Sequence, residues 1–156
     1  MRTLPKIAGL VAALGAASLC TGLAQAQLIG ISNTRALAFG ELVAGATSGT
    51  AVVSPAGART LTGGVSTGNS GGITSASFTV TGIPLLTFAI TLPSSAAITA
   101  GGNSMTVNTF TSSPSGTGQL GALGSQTLTM GATLNVGASQ VSGSYSGTFS
   151  VTVVYN

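Results

Sequence analysis

From Ala76 to Tyr155 the apolar side chains of this chain recur at every second position, in four stripes. Ala76, Phe78 and Val80 alternate with Ser77, Thr79 and Thr81. Leu86, Phe88, Ile90 and Leu92 are spaced by Thr87, Ala89 and Thr91. Leu128, Met130, Ala132, Leu134 and Val136 make a third stripe, and Tyr145, Gly147, Phe149, Val151, Val153 and Tyr155 a fourth. An extended chain points successive side chains to opposite faces, so each stripe gives a strand one apolar face and one hydroxyl-rich face. No window carries a capped 3.6-residue pattern, and the chain reads as all-β.

Turn signals punctuate the stripes: Ser54-Pro55-Ala56-Gly57, Gly63-Gly64, Gly71-Gly72, Gly82-Ile83-Pro84, Gly101-Gly102-Asn103 and Pro114-Ser115-Gly116. Glycine supplies positive φ, and proline removes a ladder donor. Weaker strands are expected over Leu37 to Ala44, Thr50 to Ser54, Arg59 to Leu61 and Met105 to Phe110. The sum is a single antiparallel β-sandwich of the immunoglobulin-like or pilin-like kind, with seven to nine short strands around one shared core.

The chain starts with Arg2 and Lys6, continues through a short apolar run, Ile7 to Leu19, and reaches Ala24-Gln25-Ala26. This basic, apolar, A-x-A order predicts a secretory signal over residues 1–26, cleaved after Ala26. The run is short and broken by glycine, whereas a membrane span needs ~20 apolar residues. Cys20, the only cysteine, leaves with the signal, and Leu19 before it is larger than lipid-attachment sites prefer. The remaining chain, about 130 residues, suffices for one domain. Residues 27–36 read as an N-terminal extension and 37–156 as the sandwich. No later segment could span a bilayer, and the destination is outside the cell or its surface, through the periplasm.

The formal charge of +3 belongs largely to that leader. Behind it stand Arg35, Glu41 and Arg59 alone, and beyond Arg59 there is no charged residue, histidine or cysteine. Enzymes draw on titratable pairs, activated nucleophiles or metal ligands. A lone glutamate cannot divide acid and base roles, and calcium sites gather several carboxylates. No catalytic, cofactor-binding or metal-ligating residue is expected. Phosphate binding needs clustered lysine and arginine, so no nucleic-acid face is expected either. The three charges read as solvated surface groups, with Glu41 free to pair with Arg35 or Arg59 for under ~1 kcal/mol. Tyr145 and Tyr155 fall on an apolar stripe and read as core.

The strand from Gly143 to Tyr155, with Tyr145, Phe149, Val151 and Val153 between them, resembles the C-terminal strand of pilins assembled by a periplasmic chaperone and an outer-membrane usher. That resemblance implies recognition of the terminal strand by the chaperone. It also implies a sandwich short of one strand, completed by the N-terminal extension of the next subunit. The candidate donor is residues 27–36, where Leu28, Ile29 and Ile31 are apolar; an ordinary edge strand fits the same residues. Ten residues reach at most ~35 Å. Pilins typically carry an early disulfide, which this chain cannot form.

A second likeness covers nearly all of the expected domain. Leu37-Ala38-Phe39-Gly40-Glu41-Leu42, Ser77-Phe78-Thr79-Val80-Thr81-Gly82, Gly131-Ala132-Thr133-Leu134-Asn135-Val136 and Gly143-Ser144-Tyr145-Ser146-Gly147-Thr148-Phe149 occur in order. They resemble a secreted bacterial β-domain family, domain of unknown function forty-four-oh-two. The expected function is a secreted structural subunit of a bacterial surface fibre or coat, self-associating through β-strand pairing and joined by strand exchange. The alternative is a monomeric secreted adhesin or glycan-binding module, for which the loops offer little beyond Asn69 and Asn103.

Overall fold

The computed structural model describes residues 28–156. The expected signal, its cleavage residues Ala24 and Ala26, and Gln27 lie outside the described residues. The described chain is all-β. In order its strands are β1 (Gly30–Arg35), β2 (Ala38–Phe39), β3 (Leu42–Val53), β4 (Arg59–Thr67), β5 (Ile73–Thr74) and β6 (Ala76–Thr81). Then follow β7 (Thr87–Thr91), β8 (Ser95–Ala100), β9 (Asn103–Ser113), β10 (Thr117–Gln119), β11 (Ser125–Val136) and β12 (Thr152–Tyr155).

Twelve strands replace the expected seven to nine, and they are not uniformly short: β3 and β11 have 12 residues each and β9 has 11. The expected strand over Leu37 to Ala44 is split into β2 and the start of β3, and the added elements include β5, which pairs with β2 alone, two residues each. Pro55, Pro84, Pro93 and Pro114 all lie outside strands, where a missing ladder donor costs nothing.

All pairing is antiparallel, in a seven-stranded sheet, a three-stranded sheet and the two-residue pair. β11 is the spine of the large sheet. Along one side it pairs first with β6, from Ser125↔Thr81 to Met130↔Ala76, and then with β3, from Ala132↔Val53 to Val136↔Gly49. Along its other side runs β9, followed by β8. β1 closes the sheet beyond β6, and β4 closes it beyond β3. The small sheet has the order β10-β7-β12.

The third stripe dictates this position for β11. Leu128, Met130, Ala132, Leu134 and Val136 are all buried, as a strand flanked on both sides and covered on one face requires. The first stripe behaves alike in β6, where Ala76, Phe78 and Val80 are buried. Phe88 and Ile90 turn inward from β7, but Leu86, assigned by alternation to the same face, lies before the strand and is exposed.

The interior is two clusters, not one shared core. The first lies between the two sheets and holds Ala76, Phe78, Val80, Phe88, Ile90, Leu120, Leu128, Met130 and Val153. The second holds Ala51, Val65, Val107, Ala132, Leu134 and Val136, all from the large sheet. Leu37 and Phe110 pack against both, and the Phe149 ring meets Phe78 edge-on at 6.3 Å and Phe110 at 5.2 Å.

The fourth stripe departs most from expectation. Only Thr152–Tyr155 is a strand, paired with β7. The stretch 143–151 joins no ladder, and its backbone pairing with the large sheet is the isolated bridge Ser146↔Thr99. Serine and glycine crowd this stretch, and Tyr145 closes it upon itself: its hydroxyl donates to the Val141 carbonyl at 2.7 Å and accepts from Gln140 Nε2 at 2.8 Å. Tyr145 is therefore part of a local loop, not of the core.

Candidate functional site

The small sheet covers only the half of β11 that pairs with β6. Over the other half the second layer is irregular chain, and between it and the large sheet lies a groove of about 900 Å³. Its floor is apolar: Ala96 and Ile98 from β8, Met105 and Val107 from β9, Leu134 and Val136 from β11. The walls come from residues 36–44 and 140–149, and a smaller recess beside it reaches Phe78 and Phe149.

Hydrogen bonds from charged side chains hold the first wall. Arg59 Nη1 donates to the Phe39 carbonyl at 2.7 Å and to the Glu41 carbonyl at 3.3 Å, while Nη2 reaches Thr67 Oγ1 at 3.1 Å. The Glu41 carboxylate turns to the next loop instead of to arginine. It accepts from the Ser70 amide at 2.6 Å and the Ser70 hydroxyl at 2.7 Å. These bonds, the hydroxyl first, hold its carboxyl below the ordinary glutamate value. Arg35 bonds to Ser75, through Nε to the carbonyl at 2.9 Å and through Nη2 to the hydroxyl at 3.0 Å. The expected pairing of Glu41 with an arginine is thus replaced by hydrogen bonds to backbone and hydroxyl groups.

Gly147 holds the second wall. A Cβ at this position would meet the Ala97 carbonyl, so only glycine lets the chain cross β8 this closely. Beside it, Thr99 and Ser146 exchange backbone hydrogen bonds of 2.9 and 3.1 Å.

The residues singled out by sequence are distributed around this arrangement. Ile31 lies in β1, paired with Val80 of the same chain, and Ile29 packs with it against the first cluster. Leu28, just before them, is exposed. Gly143, Tyr145 and Phe149 line the groove, while Val151, Val153 and Tyr155 pack on the first cluster. The floor residues Ala96 and Ile98 were not anticipated, although their alternation with Ala97 and Thr99 was the available signal.

A groove of this kind has no titratable constellation; it presents aliphatic side chains, and the edge of β8 beside it is occupied by Ser146 and Gly147. No curated protein and no solved structure matches the chain. Residues 29–155 match the family described as Domain of unknown function (DUF4402), and the chain belongs to that family.

Proposed function

We propose that this protein is a secreted, non-catalytic structural subunit of a bacterial surface fibre or coat, in which one copy lends an extended strand to the next. The observation that carries this reading is the irregular second layer. The second cluster takes its buried residues from the large sheet alone, and what lies over it is residues 36–44 and 140–149, with Leu37 and Phe39 packed on it, in place of a paired second sheet. A lent strand with apolar residues at alternate positions would take the place of part of that cover and bury the half-buried Ala96, Ile98 and Met105.

Leu28–Ile31 is the segment best placed to be lent. It opens β1, an edge strand whose one strand partner is β6. An edge strand leaves its own sheet without opening a second ladder, which keeps exchange between copies inexpensive. A periplasmic chaperone of the usher route would meet the free edge of β12, whose one strand partner is β7.

The test uses Gln27–Asn156, which contains every strand and both clusters, with size-exclusion chromatography, negative-stain electron microscopy and a synthetic peptide of residues 27–36. The expected result is concentration-dependent oligomers or filaments, whose growth the peptide slows. A peptide with Ile29→Asp and Ile31→Asp should have no effect. Monodisperse protein at every concentration, with no binding of the peptide, would overturn the reading.

A further inference from the structure

β7 and β8 are separated only by Leu92-Pro93-Ser94, and one stretch of chain, 146–155, runs antiparallel beside both. It meets β7 as the ladder of β12, beginning at Thr152↔Thr91, and it meets β8 at the bridge Ser146↔Thr99. Between these two anchors five residues, 147–151, face seven, 92–98. Among the described residues no ladder joins them.

The free side of β8 is ready for one. Thr99 donates its N–H to the Ser146 carbonyl at 2.9 Å and accepts from the Ser146 amide at 3.1 Å. A strand turns the hydrogen-bonding groups of alternate residues to the same side, so Ala97 and Ser95 aim theirs the same way. Among the described residues neither has a backbone partner there. The Ala97 carbonyl already lies against Gly147, closer than any residue with a Cβ would allow.

The bridge also fixes a register. Continued from Ser146↔Thr99, an antiparallel ladder sets Gly147 opposite Ile98, Thr148 opposite Ala97, Phe149 opposite Ala96 and Ser150 opposite Ser95. Opposed residues share a face. Phe149 therefore falls with Ala96 and Ile98, half-buried residues that line the groove as it does. Thr148 and Ser150 fall with Ala97 and Ser95, and all four are exposed. A register one residue away would reverse every one of these placements. The two surplus residues lie at the kink between β7 and β8, outside any strand, where Pro93 has no N–H to give.

We infer that residues 146–150 are a latch strand that zips onto β8 in this register and closes the β8 edge from within one chain. The structure holds the latch at its first pair. The latch uses the same N–H and C=O groups that an added strand would use, so its closing refuses a strand at β8 and its opening admits one. Zipping needs one chain only; the role as a gate rests on the fibre reading.

The experiment uses Gln27–Asn156, which contains no cysteine of its own. Ser95→Cys/Ser150→Cys places two thiols at an in-register pair, with Cα atoms about 5.5 Å apart once the latch is zipped, within disulfide reach. Ala97→Cys/Ser150→Cys is the diagonal control, at about 7–8 Å and beyond that reach. Under mild oxidation with copper phenanthroline, mass spectrometry should show the in-register disulfide forming about tenfold faster than the diagonal one. Equal rates or a faster control overturn the register, and no disulfide in either variant overturns the latch. Oxidation of the in-register variant should slow amide exchange at Ala97 and Thr148 about tenfold. It should also weaken binding of the 27–36 peptide about tenfold. An oxidised form that binds the peptide as well as the reduced form overturns the gate. A peptide that binds neither form overturns the fibre reading, while the crosslink alone decides the latch.

Discussion

The Tyr155 hydroxyl accepts a hydrogen bond from the Ile83 backbone amide at 2.7 Å, tying the end of β12 to the loop that carries Leu85. A Cβ on the neighbouring Gly82 would collide with the same hydroxyl. Tyr155 is therefore a support for the 82–86 loop as well as a side chain packed on the first cluster.

Replacing it separates the two roles. Tyr155→Phe keeps the ring and orphans a partly buried amide, which should cost about 1–2 kcal/mol. Urea unfolding measures the loss, and hydrogen exchange should rise in residues 82–86. Tyr155→Ser removes the ring too and should cost more and lower secreted yield. A yield that falls for Tyr155→Ser while stability is unchanged would instead point to recognition of β12 by a partner.

Arg35 ties the end of β1 to the chain entering β6. Ser75 is buried, and both of its bonds from Arg35 cross from the end of β1 to the start of β6. Arg35→Ala leaves that hydroxyl and carbonyl short of their donors, at about 1–3 kcal/mol. Amide exchange in Gly30–Arg35 should quicken before that of β11 does. Under strand exchange the same variant should assemble faster than wild type, because the lent strand leaves its own sheet more easily.

Glu41 predicts a pH dependence with a definite sign. Its carboxyl is held below the ordinary value by the Ser70 hydroxyl and amide. A group depressed on folding contributes stability that is present above its unfolded pKa of about 4.3 and lost as pH falls through the lower folded value. Acid should therefore loosen the 68–72 loop while neutral and alkaline conditions leave it unchanged. Glu41→Gln should flatten that acid limb in thermal melts recorded from pH 6 downward. An unchanged acid limb would remove Glu41 from the account.

Gly147→Val tests the second wall. The new side chain would drive into the Ala97 carbonyl, breaking the Thr99–Ser146 bridge and lifting residues 140–149 from β8. Overpacking of this kind costs about 1–3 kcal/mol. Because β8 then gains a free edge, the variant should bind an apolar strand peptide more tightly, as fluorescence anisotropy would show.

How far the sequence disclosed this arrangement depends on the residue class that carried the signal. Large aliphatic and aromatic residues at period two located β6, β7 and β11 because their burial fixes register. β8 was missed because Ala96 and Ala100 are too small to mark an apolar face. Gly63-Gly64 was read as a turn, yet both lie inside β4, where β3 shifts register between Ala44 and Gly49. A Cβ on Gly64 would meet the Thr47 carbonyl, so those glycines serve a close crossing. The fourth stripe failed for the opposite reason: its alternation is genuine, but Gly143 and Gly147 bring no side chain to bury, and the Tyr145 hydroxyl finds a local partner. The groove was beyond reading by periodicity, because it is assembled from residues far apart in the chain.

β11 pairs on one side with two successive strands and on the other with β9, and its two ends lie beside the 82–86 loop and in the groove floor. Tension applied between those ends runs parallel to β11 and perpendicular to its ladder hydrogen bonds. The bonds on both flanks are then loaded together in shear, and none can be peeled open alone. The long spine thus makes the protein stiff along β11.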